Sequence, residues 1–596
     1  MDLKTLLPEM SAKFAQVKKL LSMDGKIGGD RESHTSKYAA IEILKGMHNS
    51  LNGLNNYVQQ ENKQTTLFAV VCLNLGILYI ETDEQKTGEE FLMICIGNLS
   101  KSAITSEKVL PMISALNQLG ILWSQRNQIA VAKTFLERCE RIYEAYKKCG
   151  VQPISMETLF ALNNVKESSP SQLLEKLHTL TLYYLAQVYG SLEDYSKSAV
   201  YCHMTLRRQL EHRDFESIEW ALNAATLSQF FLEKAGFEQA RHYLAAATHI
   251  LRKYEDTLKS VEVAGVESEE VAAKRENFNH RSADISRCWA KYGILLISAS
   301  KERLFLQIEN ENYKEPFDIS SIKQDSKSDL VNYCFKNLKF TTIEMEAETI
   351  ANDITDKYLL DFNDAKVVFL KVQKWLEDAK QYYSLENHAS DYVQLVQDMS
   401  QAYKHLVFFE NNEDRQAKMH KRRIDILEAV INEISETYYQ IACRQIWIEL
   451  GETYSEILDI KVERLHALEE RPTPHMLSKI NTLATSAIKY FEKFLESLQK
   501  CRMFVENKIF QHDLVRPALC TYFQLGRLYS KIITPDKNMQ LVNVKKSCHF
   551  YAFLVNYCEK DSRAKELMLS ELSFCSDLVK LLPLKISKLK IEISKV

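Results

Sequence analysis

Glycine and proline, the two residues that most often interrupt regular structure, are scarce in this chain. Only 16 Gly and 10 Pro occur among 596 residues. Because either residue interrupts a helix, their scarcity predicts nearly continuous helix and argues against layers of β-sheet. A chain of this length exceeds what one hydrophobic core supports, so we expect several helical units or one extended array.

Paired cysteines and an excess of one charge are also missing. None of the 13 cysteines belongs to a C-x-x-C pair, and the 15 histidines show no pairing with cysteine at metal-ligand spacing. We therefore expect reduced thiols, mostly buried, and no metal or other cofactor. The net charge is −3, with the two signs interspersed, which argues against a nucleic-acid-binding surface.

No apolar run reaches the length of a membrane span. The most apolar segment, 66–80, contains Asn74 and is about 15 residues long, whereas a transmembrane helix needs about 20. The N-terminal stretch MDLKTLLPEMSAKF has no long apolar segment of the kind found in signal peptides. We therefore expect a soluble protein without direct membrane insertion.

Catalytic motifs are absent as well. The sequence contains no G-x-x-x-x-G-K-[ST], G-x-S-x-G or H-E-x-x-H motif, and no G-x-G-x-x-G motif after a predicted strand. The glycine cluster GKIGG at 25–29 lacks the spacing of a phosphate-binding loop. The chain is therefore predicted to be a binding protein and not an enzyme.

What the sequence does contain is a repeated pattern of helical hairpins, clearest in 174–251. Ala186 lies on a leading helix and Ser198 follows twelve positions later on the returning one; Ser228 and Ala240 repeat that spacing. The spacing is typical of tetratricopeptide repeats, in which small residues let two antiparallel helices pack closely and each unit leaves one apolar face for its neighbour. Stacking of consecutive units buries those faces.

The same pattern recurs along the chain. Gly76 and Gly88 mark an earlier repeat, and Gly120 with Ala132 marks the next. Two further repeat cores, at Gly451 and Gly526, occur late. The four clear N-terminal repeats cover about 68–100, 112–147, 174–212 and 219–252. We predict an all-α, tetratricopeptide-like α-solenoid of antiparallel helix pairs.

The array is predicted to form two subdomains. Residues 1–310 form the N-terminal one and end in a bridging helix, 311–328 are a linker, and 329–596 form the C-terminal one. Within them, 23–36 is predicted as a loop, 256–280 as an acidic loop with some helix, and the stretch from Ser576 onward as an amphipathic helix that caps the array.

Helical geometry predicts a row of partner-binding side chains along the leading helices. Positions two before and one after each small core residue share a face of the leading helix, away from the packed seam. Because leading helices line the inside of a curved array, this row should form a concave, uncharged groove suited to a helix or a folded surface; the alternative is a merely solvated face. Its members are Asn74, Ile77, Gln118, Ile121, Tyr184, Gln187, Thr226 and Gln229.

The densest basic run of the chain is KMHKRR, at 418–423. One interpretation is the solvated face of a returning helix. The other is a docking patch for an acidic segment of a partner.

Several longer segments resemble the kinesin family-binding proteins. They are NQLGILW (117–123), LYYLAQVY (182–189), RQLEH (208–212), EWALNAATLSQF (219–230), KMHKRR (418–423), LVRPAL (514–519), KIIT (531–534) and NYCEK (556–560). They occur in the family's order from near the N-terminus to the end, so the resemblance covers most of the chain.

The resemblance implies a cytoplasmic, cytoskeleton-associated α-solenoid that binds the motor domains of certain kinesins and blocks their attachment to microtubules. Regulation of mitochondrial and axonal transport would follow. It also implies that Tyr184, Gln187, Gln209 and Thr226 contact the partner, and of these Gln209 rests on the resemblance alone. Asn74, Gln118 and Gln229 are further candidates from the row, and we expect a monomer.

A second hypothesis is a general tetratricopeptide adaptor or co-chaperone that clamps a peptide tail. Such clamps hold carboxylates with Lys, Arg and Asn projecting together from leading helices. The predicted row lacks those basic residues, which favours the kinesin hypothesis.

Overall fold

The computed structural model describes most of the chain. The described residues are 3–24, 30–55, 62–162, 169–263, 269–311, 338–466, 473–500, 504–505 and 509–594.

Helices follow one another along the N-terminal half. They are α1 (Leu3–Asp24), α2 (Asp30–Asn55), α3 (Asn62–Glu81), α4 (Gln85–Leu99), α5 (Val109–Gln125), α6 (Ile129–Cys149), α7 (Met156–Leu159), α8 (Pro170–Ser191), α9 (Tyr195–His212), α10 (Ser217–Glu233), α11 (Phe237–Val263) and α12 (Glu269–Glu311).

The described residues of the C-terminal half are also mainly helical, and they include one minimal hairpin of the two-residue strands β1 (Phe504–Val505) and β2 (Ile509–Phe510). Its helices are α13 (Glu344–Ala351), α14 (Phe362–Lys380), α15 (Ala389–Val407), α16 (Glu413–Glu433), α17 (Gln440–His466), α18 (Pro474–Lys500), α19 (Val515–Lys531), α20 (Lys537–Lys560), α21 (Ser562–Leu567) and α22 (Leu569–Ser594). The prediction of an all-α, solenoid-like fold is confirmed.

The chain divides into two compact units. Unit 1 comprises Met1–Phe230 and Ile322–Met345, and unit 2 comprises Phe231–Ser321 and Glu346–Val596. The subdomains predicted from the sequence, 1–310 and 329–596, stay a prediction. The predicted linker, 311–328, lies outside the described residues except for Glu311, so the predicted boundary stays a prediction.

Two segments are more helical than the sequence suggested. The stretch 23–36 was predicted as a loop, but α2 already begins at Asp30. Most of 256–280, also predicted mainly as loop, belongs to α11 and α12. The loop prediction for 23–36 rested on a polar run and on Gly25, Gly28 and Gly29, which all precede Asp30 in the sequence. For 256–280 it rested on acidic composition, which a solvated helix tolerates on its outer face.

The seam between α3 and α4 shows why the repeat needs small residues. A Cβ atom added at Gly76 would lie 2.7 Å from Cγ of Leu92, and one added at Gly88 would lie 2.8 Å from the carbonyl oxygen of Gly76. Glycine therefore allows the two helix backbones to approach closely. Helix α3 is apolar and long enough to cross a membrane by length and composition alone, but 78% of its apolar window is buried, as in a core helix.

The short segment that begins at residue 338 belongs to unit 1. Phe340 is fully buried there. Its ring stacks on His203 of α9 at 5.1 Å between centroids and lies 5.1 Å from the ring of Trp220 in α10. These ring contacts hold the segment around Phe340 against α9 and α10.

Candidate functional site

An open groove lies among α8, α9 and α10, wholly within unit 1. Its volume is about 520 Å³. We call it the α8–α10 groove and define it by its lining residues, which are Tyr183, Ala186, Gln187, Gly190, Tyr195, Ser198, Ala199, Cys202, Thr205, Leu206, Gln209, Glu219, Asn223, Thr226, Leu227 and Phe230.

A tight turn sets the angle between the first two walls of the groove. Glu193 adopts a left-handed conformation with φ of 61° between α8 and α9. The side chain of Asp194 then caps α9 by accepting a hydrogen bond from the backbone N–H of Lys197 at 3.2 Å. The turn therefore brings α9 back directly against α8.

Small residues form the floor of the groove. Ala186 and Ala199 are buried, and the hydroxyl of Ser198 donates a hydrogen bond to the carbonyl oxygen of Ala186 at 2.8 Å. This is the contact that the twelve-residue spacing predicted. Because these side chains are short, they leave the groove between α8 and α9 open to side chains of another molecule.

Two tyrosines stand at the rim. Tyr183 on α8 is 43% exposed and Tyr195 on α9 is 59% exposed. Large, partly exposed aromatic rings at a groove are the residues that most often carry binding energy at protein interfaces. Neither was predicted, although the four-residue spacing of Tyr183 and Gln187 places them on one helix face and could have indicated it.

The polar groups of the groove are almost all uncharged. Glu219 carries the one formal charge among the described lining residues. Gln187, Asn223 and Thr226 are exposed, and Gln209 is half-buried. Amides and hydroxyls can exchange water for a partner's polar groups at a lower desolvation cost than charged groups, so the groove suits a protein surface better than an ion.

A smaller, more basic pocket adjoins the groove and shares Gln209 with it. Its volume is about 260 Å³. Lys176 lies in it and forms an ion pair with Asp214 at 3.2 Å. The full lining is Gln172, Lys176, Thr179, Arg208, Gln209, His212, Arg213 and Asp214.

Arg208 is held by Glu175, which joins α6, α8 and α9. The Glu175 carboxylate accepts hydrogen bonds from the Tyr143 hydroxyl at 2.7 Å, from Lys147 at 2.6 Å and from Arg208. Burial alone would raise the pKa of Glu175, but these donors outweigh it and lower the pKa to about 2. The ionised carboxylate therefore fixes the α9 end of the groove at neutral pH.

Three of the four residues indicated by the resemblance lie together. Gln187, Gln209 and Thr226 all line the α8–α10 groove. Tyr184 lies beside it, where its ring is half-buried against an apolar cluster that includes Ala132 and Leu136. The centroid of that ring is 5.2 Å from that of Tyr183, at an interplanar angle of 85°. The role of each residue in binding stays a prediction.

The further candidates lie outside the groove. The side-chain amide of Asn74 donates to the carbonyl oxygen of Val70 at 2.8 Å within α3. Gln118 is half-buried on α5. The amide nitrogen of Gln229 donates to the Ser228 hydroxyl at 3.1 Å, and its amide oxygen is buried. Their proposed contacts with a partner also stay predictions.

The basic run 418–423 is divided between surface and interior. Lys418, Lys421 and Arg422 are exposed, whereas Arg423 is fully buried. The Arg423 guanidinium lies 2.6 Å from a carboxylate oxygen of Glu456. Only part of the run can therefore form the solvated face or docking patch considered from the sequence.

Arg423 forms the centre of a buried network in unit 2. Its guanidinium also lies 3.4 Å from Glu449 and donates to the Ser400 hydroxyl at 3.2 Å. Burial raises the pKa of Glu456, but hydrogen bonding to His420 and the charge of Arg423 reverse this and lower it to about 2. This network holds α15, α16 and α17 together.

Metal-binding and redox features are not found in the part of the chain that the structure describes. No group of three or more His, Cys, Asp or Glu side chains is placed to hold a metal ion there. The cysteines of the same residues are free thiols, and burial raises the pKa of Cys139 to about 12, which keeps that thiol protonated and unreactive.

Stacked helical hairpins with an open, largely uncharged groove define a class of non-catalytic, tetratricopeptide-like binding proteins. Residues 218–589 match the family model described as KIF-1 binding protein C terminal. The chain belongs to the KIF-binding protein family, whose members are binding proteins and not enzymes.

Relatives match the chain over nearly its full length. The KIF-binding protein of Gallus gallus is 35% identical over 584 residues, which cover 97% of each chain. That of Drosophila melanogaster is 32% identical over 619 residues and covers 99% of this chain and 98% of its own. A solved structure, described as a cryo-EM map of KIFBP, superposes with a TM-score of 0.62 at 29% identity and covers 96% of this chain and 99% of its own.

Proposed function

We propose that this protein binds kinesin motor domains through the α8–α10 groove and thereby blocks their attachment to microtubules. The names of its relatives support the kinesin part of the proposal. A cytoplasmic location at the cytoskeleton and a role in mitochondrial and axonal transport would follow from that activity.

One observation carries the groove part of the proposal. Gln187, Gln209 and Thr226 come from three different helices and were indicated independently of the structure, yet all three line a single groove. Their amides and hydroxyl point to a polar protein surface as the ligand, and the flanking Tyr183 and Tyr195 supply apolar area.

The groove fits a motor surface better than a charged peptide tail. A carboxylate clamp needs several Lys or Arg side chains that converge on one point. Among the described lining residues of the groove there is no Lys or Arg. In the adjoining basic pocket, Arg208 and Lys176 are already paired with Glu175 and Asp214.

Microtubule pelleting tests the proposal. A kinesin motor domain is mixed with microtubules and a non-hydrolysable nucleotide, and the chain is added in excess. We expect the wild type to leave the motor in the supernatant and the double variant Gln187→Ala, Thr226→Ala to leave it in the pellet. Each lost hydrogen bond removes about 1 kcal/mol, so the double variant should bind the motor at least about tenfold more weakly.

The control is Gln125→Ala, which removes an exposed glutamine at the end of α5 outside the groove. It should release the motor as the wild type does. Thermal unfolding must be the same for all three proteins. If the folded double variant still removes the motor from microtubules at wild-type concentrations, the groove is not the binding site.

A further inference from the structure

The last helix of unit 2 has two apolar faces. Its inner face is buried through Cys575, Leu582 and Leu589. Its outer face carries a second row of large apolar side chains. These are Phe574, Leu581, Leu584 and Ile591, which are 52%, 58%, 68% and 55% exposed.

The sequence suggested an amphipathic cap, in which the face away from the core is polar. The exposed face of α22 instead carries these four large apolar side chains. The exposed residues are spaced by seven, three and seven positions, which is the spacing of a helix seam that packs on one other helix. A monomer leaves this seam in water.

The seam of one copy of α22 matches the seam of a second copy that runs in the opposite direction. About a midpoint between Leu582 and Pro583, Leu581 is placed symmetrically with Leu584, and Phe574 with Ile591. Two copies of α22 that cross antiparallel at that midpoint would therefore place an apolar residue against an apolar residue at each of these positions.

The two charged residues of the seam obey the same symmetry. Asp577 and Lys588 fill the remaining seam positions and lie at equal distances from the midpoint. Both side chains are exposed. In an antiparallel pair each Asp577 would face a Lys588, and the two-fold axis would generate this ion pair twice.

We propose that two copies of the chain associate through α22, packed antiparallel about a two-fold axis at that midpoint, with Asp577 against Lys588 of the partner subunit. An interface of this kind uses the same surface on both copies and closes on itself, so it covers both exposed seams at once. This dimer departs from the monomer that the sequence suggested. It is independent of the groove, which belongs to unit 1.

The contact between two single helices is small. An interface below about 1,200 Å² in total belongs to the weak or transient class. We therefore expect a dimer with a dissociation constant of about 10–100 µM, which a locally high concentration of the chain would populate.

Sedimentation velocity of the full-length chain over a concentration series tests the proposal. The wild type should shift from monomer to dimer as its concentration rises. The double variant Leu581→Glu, Leu584→Glu should remain monomeric throughout. Both residues are exposed, so thermal unfolding should stay within a few degrees of the wild type.

Leu569→Glu is the matched control. Leu569 lies on the same helix and is 69% exposed, but it lies about 90° round the helix from the middle of the seam. This variant should dimerise as the wild type does. A wild type that stays monomeric at the highest concentration, or a seam variant that still dimerises, overturns the proposal.

Charge reversal tests the register separately. Asp577→Lys alone and Lys588→Asp alone should each weaken the dimer at least tenfold, because each places like charges opposite one another. Their combination in one chain should restore it, and so should an equimolar mixture of the two single variants. If both single variants dimerise normally, or if neither combination restores association, the antiparallel pairing is wrong.

Discussion

The α8–α10 groove of unit 1 exposes uncharged amides and hydroxyls, whereas the most basic run of unit 2 sends its last arginine fully into the interior. Gln187 and Thr226 keep their polar groups in contact with solvent, while Arg423 has none of its surface exposed and two carboxylates beside it. The comparison teaches that charge density in a sequence does not predict exposure, because a single basic run contains the exposed Arg422 and the buried Arg423.

The largest effect should come from removing the buried charge. Arg423→Met leaves Glu449 and Glu456 without their cation in the interior, which costs about 3–5 kcal/mol of unfolding free energy. Chemical denaturation measures the loss. Arg422→Met changes the exposed neighbouring arginine and should stay within about 0.5 kcal/mol of the wild type. Equal losses in the two variants would mean that the network contributes nothing particular to stability.

The next effect should appear in binding and not in stability. Tyr183→Ala removes a partly exposed ring from the rim of the groove, so we expect about 2 kcal/mol weaker binding of a kinesin motor domain and an unchanged melting temperature. Calorimetric titration measures the affinity.

Tyr184→Ala provides the contrast. Its ring packs against the apolar cluster that includes Ala132 and Leu136, so the variant should lose stability. Its affinity for the motor tests the row of residues predicted from the sequence. If Tyr184→Ala weakens binding more than Tyr183→Ala while remaining folded, the contact surface on α8 is centred on Tyr184 and not on the rim of the α8–α10 groove.

A smaller effect should depend on pH. His178 is buried, stacks on Tyr143 at 3.5 Å between ring centroids, and has both ring nitrogens without a hydrogen-bond partner. Burial, with the nearby charge of Arg208, lowers its pKa from 6.5 to about 3. The unfolded chain therefore binds a proton on this residue between about pH 6.5 and 3 that the folded chain does not.

The free energy of unfolding should consequently fall as the pH is lowered below 6.5, by up to about 1.4 kcal/mol per pH unit from this residue. His178→Phe should show a shallower decrease in denaturation experiments at pH 7, 6 and 5. His466→Phe, which changes an exposed histidine, should keep the wild-type slope. If the free energy of unfolding of His178→Phe falls with pH as steeply as that of the wild type, the acid sensitivity belongs to other groups.

The smallest effect should come from the exposed part of the basic run. Lys418→Glu with Lys421→Glu reverses two exposed charges and should change both stability and motor binding by less than about 0.5 kcal/mol. A substantial loss of binding would support the docking-patch interpretation of 418–423 and would contradict the contrast between the two regions.

Much of the fold could be predicted because its determinants are local. Spacing alone predicted the seam in which Ser198 contacts Ala186, and the scarcity of helix breakers predicted the all-α class. Three groove residues were also anticipated. Tyr183 was missed because the assumed face was rotated by one position, which on a helix turns a side chain by about 100°.

The remaining differences depend on contacts that are distant in sequence. The sequence alone assigns Arg423 to the surface. It is buried because packing brings Glu449 and Glu456, on the next helix, beside it. The outer face of α22 looks like core for a similar reason, since Leu581 and Leu582 are equally apolar and only the packing of α20 and α22 shows which of them is buried. Helix periodicity gives the faces of a helix but not the neighbour that each face meets.

Site-specific photo-crosslinking tests the central claim most directly. A photoreactive phenylalanine analogue is placed at Tyr195, which is 59% exposed in the groove, or at Tyr438, which is 87% exposed in unit 2, and each protein is irradiated with a kinesin motor domain. The account predicts a covalent adduct with the motor from position 195 and none from position 438. An adduct from position 438 alone would contradict it.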